Sequence, residues 1–247
     1  EELLESFRRE LRQGVDVAVF THVSNVFGYI LPVETMAQLC REAGVPFILD
    51  AAQSAGCLPV DFGALGADFI AMPGHKGLLG PQGTGLLLCA QPGPPLIFGG
   101  TGSRSRAKTM PEELPERLEA GTLNVPGAAG LAAGMELVEK LGTENIFRRG
   151  HGQVGVCARG LEELGYRVYS GPHQAMTLSF RGKGDCEELA AYLGSKGIAL
   201  RAGLHCAPLA HESAGTLETG TLRVSFGHEA SSLQTRALLR ALRDRRG

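Results

Sequence analysis

Short apolar runs alternate with a helical pattern in the first part of this chain, and that alternation restricts its fold more than any other feature. The runs lie at residues 15–20, 45–50, 67–72 and 83–89. Between the first two runs, apolar residues recur at helical spacing, and the pattern ends at Gly44, a residue suited to leaving a helix. Continuously apolar runs are typical of parallel strands that are covered on both faces. We therefore predict an α/β fold with a mainly parallel sheet.

The pattern changes after a long loop at residues 90–116, which is rich in glycine, proline and charge. A helix of small residues follows at 127–142, and then a helix, two strands, a helix, two strands and a final helix from Ser231. This order predicts a smaller α+β unit. We expect residues 1–130 to belong to a large domain and residues 131–247 to form a small C-terminal domain with a linking helix.

Composition excludes several classes of protein. The net charge of -2 gives no electrostatic case for binding nucleic acid or an anionic membrane. The apolar runs are interrupted well before the ~20 residues that a spanning helix needs, and the acidic, amphipathic N-terminus does not resemble a secretory signal. The six cysteines form no C-x-x-C pair, which argues against a zinc ribbon or a disulfide scaffold and predicts a reducing, cytoplasmic location.

Polar residues follow three of the predicted strands, where the ligands of open parallel sheets bind. They are His22, Asn25, Asp50, Gln53, His75 and Lys76. Asp50 could simply cap the next helix and Lys76 could extend to water. However, an aspartate at one strand end and a lysine at the end of a following strand also meet the needs of a pyridoxal phosphate site. There a lysine forms a Schiff base with the aldehyde, and a carboxylate keeps the ring nitrogen protonated.

Six motifs occur in the order THVSNVFG, DAAQSAG, PGHKGLLGPQGTG, EAGTLN, RAGLHCAP and GTLRVSFG. In this order they resemble the class V aminotransferase family of pyridoxal phosphate enzymes, and within it the cysteine desulfurases. The resemblance extends over the chain from Val15 onward. It implies the aspartate aminotransferase-like fold, fold type I, with residues 1–130 as part of the cofactor-binding domain.

The resemblance also implies cofactor contacts. Lys76 would form the Schiff base, Asp50 would contact the pyridine nitrogen, and Gln53 would hydrogen-bond near the ring hydroxyl. His75 would donate to the phosphate, and Asn25 would contact cofactor or substrate. We expect Lys76 to be buried, because desolvation favours a neutral, reactive amine.

Other matched positions would bind the substrate or the second subunit of a homodimer. Arg223 would clamp the substrate carboxylate, a task suited to a planar two-pronged donor. Thr122 would reach the phosphate of the neighbouring subunit, and the loop at 97–105 would complete the partner's phosphate site. A symmetric homodimer is therefore expected.

Cys206 separates a desulfurase from an ordinary transaminase. It is flanked by Arg201, which we also place near the substrate, and by His205 and His211. Nearby cations favour the thiolate, which is the nucleophilic form. A metal site formed by His205, Cys206 and His211 is an alternative, although no second thiolate lies near in sequence. The remaining cysteines are assigned structural roles: Cys40, Cys57, Cys89, Cys157 and Cys186.

The implied reaction converts L-cysteine to L-alanine and leaves a persulfide on Cys206, with His205 moving protons. The sulfur would pass to an acceptor protein and serve sulfur metabolism, such as iron–sulfur cluster assembly. A class V aminotransferase, a selenocysteine lyase and a truncated, non-catalytic fragment are the alternatives. The chain also departs from the family pattern. We expect it to be a fragment or a truncated form, because the N-terminal part of the family has no counterpart in this sequence. Pro73 stands where Ser or Thr is usual, and Leu204 stands where His is usual.

Overall fold

Two four-stranded sheets organise the part of the chain that the structure describes, which is residues 1–100 and 106–245 of a computed structural model. The first sheet and its helices are α1 Glu2–Gln13, β1 Ala18–Thr21, α2 Val33–Ala43, β2 Phe47–Asp50, α3 Phe62–Leu65, β3 Phe69–Pro73 and β4 Gly85–Cys89. The elements that follow are α4 Val125–Leu141, α5 Thr143–Glu163, β5 Arg167–Tyr169, β6 Thr177–Arg181, α6 Cys186–Ser195, β7 Arg201–Gly203, α7 Pro208–Ser213, β8 Thr221–Ser225 and α8 Ser232–Asp244. The predicted strands and longer helices are confirmed.

The first sheet is mainly parallel, as its apolar runs predict. β1, β2 and β3 are parallel neighbours in that order, and β4 returns antiparallel to β3. Thr21 pairs in register with Asp50, and Asp50 pairs with Ala71. The carboxyl ends of the three parallel strands therefore lie side by side, and the residues that follow them meet at one edge of the sheet.

One face of this sheet is packed and the other is open. Met36 of α2 lies in one buried cluster with Leu49 and Ile70, and all three are fully buried. On the opposite face, Val19 is 60% exposed and Leu87 is 54% exposed. The prediction that both faces are covered is therefore wrong for the described residues, because none of their helices packs over these side chains.

The second sheet is antiparallel throughout, in the order β5-β6-β8-β7. Helices α5, α6 and α8 pack around it and help to bury Leu178, Phe180 and Leu222. Since Leu222 points into this core, the alternation of side chains along β8 turns Arg223 and Ser225 to the other face. That face meets the edge of the first sheet where the parallel strands end.

The predicted long loop is confirmed in its described residues, since 90–100 and 106–124 contain no helix or strand. Residues 101–105, part of the segment predicted to complete the partner's phosphate site, lie outside the described residues. The domain division between residues 130 and 131 stays a prediction, and α4 crosses it. Within the described part of the chain, none of the helices has both the length and the hydropathy of a membrane span.

Candidate functional site

Lys76 lies in the glycine-rich turn that joins β3 to β4. The strand ends at Pro73, and hydrogen bonds from Gly80 N–H to Gly74 O (2.8 Å) and from Leu79 N–H to Lys76 O (3.0 Å) close the turn. The lysine side chain is exposed. The expectation that Lys76 is buried is therefore wrong, because the apolar strand ends before the lysine and the turn carries the amine out of the sheet.

A cavity of about 120 Å³ brings Lys76 and Gln53 together. Its lining also includes Ser225 and Phe226 at the end of β8, and Phe147 of α5. The cavity therefore lies between the edge of the first sheet and the second sheet. The amine and the amide that the sequence places after neighbouring strands share this space.

The turns that carry these two side chains are in direct backbone contact. A Cβ atom added at Gly56 would overlap the carbonyl oxygen of Gly77, and one added at Gly77 would overlap that of Ala55. Gly56 also has a φ of +76°, a conformation that side chains disfavour. This close approach fixes the position of Lys76 relative to Gln53.

Alanine at Gly56 is expected to lower the free energy of unfolding by about 1–3 kcal/mol, because its Cβ must displace the Lys76 turn and adopt a strained φ. Urea unfolding measures the change. Gly93→Ala is the matched control, since an added Cβ there meets nothing within 4 Å, and its effect should be below about 0.5 kcal/mol. A Gly56→Ala protein as stable as the control would contradict the close contact.

Three further predicted cofactor residues lie outside this cavity. Asp50 ends β2 with an exposed side chain, and its Oδ1 accepts a hydrogen bond from Ala52 N–H at 2.8 Å. His75 is exposed beside Lys76, and Thr122 is exposed before α4. Asp50 is held at the neighbouring strand end, as predicted, whereas the phosphate contacts of His75 and Thr122 stay predictions.

Cys206 lies in an exposed turn after β7, where Arg201 Nη2 donates a hydrogen bond to its Sγ at 3.4 Å. His205 and Cys206 have φ values of +52° and +60°, which are rare for residues with side chains. The Asn25 amide Nδ2 donates to the carbonyl oxygen of His205 at 2.7 Å. The turn is thus tied to the loop after β1, and the Arg201 guanidinium lies beside the sulfur.

Arg223 lies beside this turn. Its Nη1 donates to Asn25 O at 2.8 Å, and its Nε is buried without a partner. Burial lowers the pKa of Arg223, and the charge of Arg201 lowers it further. Among the described residues, no ion pair joins Arg223 to a carboxylate. A cation with an unused donor is suited to binding an anionic group from outside the chain.

The ring of His205 points into the protein, away from solvent. The residue is 2% exposed, and Nε2 lies 3.1 Å from the carbonyl oxygen of Thr221. Burial, followed by the charge of Arg223, lowers the pKa of His205 to about 4, so the ring is neutral at neutral pH. The described residues contain no group of three or more His, Cys, Asp or Glu arranged to hold a metal ion. The alternative metal site at His205, Cys206 and His211 therefore has no geometric support.

Several residues that line the cavity were not predicted as site residues from the sequence. Cys57, which was assigned a structural role, lines it together with Lys76, and burial raises the pKa of its thiol to about 11. Ser225 could have been found, because it lies two positions after Arg223 on a strand and so shares its face. Phe147 comes from a helix distant in sequence, and no local pattern indicates it.

Comparison with known proteins places this geometry in a family. The family described as aminotransferase class-V matches residues 2–238. A probable cysteine desulfurase of Pyrococcus abyssi is 38% identical over 233 residues, which cover 90% of this chain and 57% of that protein. A cysteine desulfurase of Synechococcus elongatus is 34% identical over 243 residues, covering 95% and 39% respectively. The chain thus spans little more than half the length of the first of these relatives and less of the second.

Solved structures agree with the sequence relatives. The apo structure of a cysteine desulfurase from Thermococcus onnurineus NA1 superposes with a TM-score of 0.88 and 34% identity, covering 98% of this chain and 62% of that one. The cysteine desulfurase CsdA of Escherichia coli gives 0.85 and 26% identity, covering 96% and 61%. The fold is that of the type I pyridoxal phosphate enzymes, which confirms the predicted fold class. With the family match extending over nearly all of its length, the chain belongs to the aminotransferase class-V family.

Proposed function

We propose that this chain carries the site of a cysteine desulfurase, which converts L-cysteine to L-alanine and retains the sulfur as a persulfide on Cys206. The main support for the proposal is that Arg223 and Ser225 lie on the same face of β8. Ser225 lines the Lys76 cavity, and Arg223 lies about 7 Å earlier on the same face of the strand. Arg223 in turn contacts Asn25, which holds the Cys206 turn. A substrate held by Arg223 would therefore lie between the amine of Lys76 and the thiol of Cys206.

The residues at the sheet edge fit pyridoxal phosphate. Lys76 has an accessible amine for the aldehyde, Asp50 offers a carboxylate for the ring nitrogen, and Gln53 offers an amide in the same cavity as the amine. The glycine contact between their turns holds these groups in one arrangement. When bound, the cofactor supplies an electron-poor ring that stabilises negative charge at the Cα of the amino acid.

Proton transfer and substrate binding are assigned to three side chains, those of Lys76, Asp50 and Arg223. Lys76 takes the proton from the substrate Cα, because its amine lies in the cavity assigned to the reaction. Asp50 keeps a proton on the ring nitrogen by charge. Arg223 binds the substrate carboxylate through its unused donor, which fixes the direction of the substrate side chain.

Sulfur transfer is assigned to Cys206. Its thiolate attacks the sulfur of the substrate, so that an S–S bond forms while the C–S bond breaks. The electron pair of the C–S bond stays with Cβ, which takes up a proton, and Lys76 returns a proton to Cα, so that alanine leaves. Atoms and electrons balance without an external oxidant. His205 is neutral and hydrogen-bonded to Thr221, so we assign it to shaping the turn rather than to donating a proton.

Product analysis tests the proposal against its alternatives. The chain is mixed with pyridoxal phosphate and L-cysteine, and alanine, sulfide and protein persulfide are measured. Alanine together with a persulfide on Cys206 is expected. An amino group transferred to a keto acid, with no sulfur on Cys206, would favour an aminotransferase. Turnover of selenocysteine alone would favour a selenocysteine lyase, and absence of any cofactor absorbance would favour a non-catalytic fragment.

A homodimer is part of the proposal, supported by an exposed apolar segment. Leu96 is 94% exposed, Ile97 71% and Phe98 67%. A hydrogen bond from Gly121 N–H to Gly99 O (3.1 Å) ties this segment to the loop that contains Thr122. Apolar residues exposed together are typical of interaction surfaces. Thr122 would thus lie at the subunit contact that its proposed role requires.

Aspartate at Phe98 is expected to weaken dimerisation at least about tenfold, because it places a charge in the apolar contact. Sedimentation of the cofactor-loaded protein at micromolar concentration measures the change. Leu233→Asp is the control, since Leu233 is 72% exposed on α8, a helix that packs against the second sheet. A parent chain that stays monomeric would rule out the dimer.

The exposed Cys206 turn supports transfer of the persulfide to another protein. A sulfur-acceptor protein is therefore included in the proposal, with iron–sulfur cluster assembly as the pathway that the resemblance suggests.

A further inference from the structure

His211 is a buried titratable side chain to which the proposed reaction gives no role. It lies on α7 and is 0% exposed. Its Nδ1 is 2.8 Å from Oγ1 of Thr216, and the hydroxyl of Thr216 donates to the His211 carbonyl oxygen at 3.3 Å. The shorter contact anchors the ring of His211 to Thr216 whichever of the two groups donates. The other ring nitrogen of His211, Nε2, is buried without a partner.

The ring of His205 packs against the ring of His211, with centroids 5.7 Å apart. Nε2 of His205 also lies 3.1 Å from the carbonyl oxygen and 3.2 Å from the hydroxyl oxygen of Thr221, so Thr221 anchors the ring. Burial lowers the pKa of both histidines. Both rings are therefore neutral at neutral pH, and their contact is one of packing rather than of charge.

The turn above these rings is strained. Two consecutive residues with side chains, His205 and Cys206, have positive φ, a conformation that persists only where surrounding contacts impose it. The Asn25 amide holds the backbone of the turn at the His205 carbonyl. The His205 side chain is held between Thr221 and the ring of His211. Removing His211 would release one of these two restraints.

We propose that His211 is a positioning residue for Cys206. Anchored by Thr216, its ring supports the ring of His205, and this support holds the left-handed turn that presents Sγ to Arg201. The inference rests on the proposed function in one respect only, which is the role of the Cys206 thiol as the sulfur acceptor. The geometry and its test require neither cofactor nor substrate.

The test is the rate at which iodoacetamide alkylates Cys206, measured by peptide mapping across a pH series. Asparagine at 211 keeps a donor toward Thr216 but lacks the ring, and valine at 216 keeps the shape of threonine but lacks the hydroxyl. We expect His211→Asn and Thr216→Val each to slow alkylation at neutral pH by about threefold to tenfold, because Sγ moves away from the Arg201 guanidinium that contacts it. Ser213→Ala, an exposed change on the same helix, should have no effect.

A double-mutant cycle with Arg201 separates positioning from general loss of structure. If His211 acts by holding Sγ beside Arg201, His211→Asn should have little further effect in an Arg201→Gln background. Leu193→Ala, which destabilises the second core, should leave the alkylation of folded protein unchanged. This control shows that lower stability alone does not slow the reaction.

Alkylation within about twofold of the parent in both folded variants, or a His211→Asn effect that persists in full without Arg201, would overturn the proposal. If one of the two variants does not fold, the alkylation rate of Cys206 in the other variant tests the proposal. A parent chain that behaves as expected here but forms no persulfide from L-cysteine would refute the proposed function and leave this inference standing.

Discussion

The Cys206→Ser protein is expected to bind pyridoxal phosphate as the parent chain does and to form no persulfide from L-cysteine. Cofactor binding is assigned to Lys76, Asp50 and Gln53, none of which contacts the Cys206 turn in the hydrogen bonds described above. A serine hydroxyl is a far poorer nucleophile toward sulfur at neutral pH than a thiolate. Mass spectrometry of the Cys206 peptide should therefore lose an adduct of ~32 Da, one sulfur atom, as the persulfide chemistry requires.

Cys57→Ser is the matched control for this result. Cys57 lines the cavity that contains Lys76, so it is a second thiol close to the proposed substrate. Burial raises the pKa of the Cys57 thiol to about 11, which keeps it protonated and poorly nucleophilic at neutral pH. The control should keep its persulfide on Cys206. An adduct on another cysteine, or undiminished sulfide release by Cys206→Ser, would favour the aminotransferase or lyase reading.

The fold could be predicted from sequence because strand and helix periodicities are local. The continuous apolar run before Asp50 and the spacing of Val33, Met36, Ala37 and Cys40 correspond to β2 and to the buried side of α2. Parallel register could also be inferred, since short apolar strands separated by helices favour it. The open face at Val19 and Leu87 could not, because coverage depends on which other segments pack there and a strand's own residues do not specify this.

The sequence predicts site residues that directly follow a strand, such as Asp50, Gln53 and Lys76. It does not predict the conformation of the Cys206 turn. The sequence of the turn indicates a cysteine among cations. The two positive φ values and the inward ring of His205 depend instead on contacts with Asn25, Thr221 and His211, which lie on other elements. Contacts of that kind are decided by tertiary packing.

Alanine at Lys76 is expected to abolish the covalent adduct between the chain and pyridoxal phosphate. The amine of Lys76 is the group assigned to the aldehyde, and no other side chain can replace it at that place. Borohydride reduction followed by peptide mapping measures the adduct, and the absorbance of the lysine–cofactor bond should vanish with it. The free energy of unfolding should change by less than about 0.5 kcal/mol, because the side chain is exposed.

Lys183→Ala is the sharpest control, because Lys183 also follows a strand and stands between two glycines. It lies beyond Arg181, at the end of β6 opposite to Thr177, and Thr177 is the residue of that strand that lines the cavity. Lys183 lies outside the cavity that contains Lys76 and outside the motif PGHKGLLGPQGTG that marks Lys76 in the sequence. The control should keep the full adduct. A reducible adduct that persists in Lys76→Ala, or one found on Lys183 in the parent chain, would refute the assignment of Lys76 and with it the placement of the cofactor at this edge of the sheet.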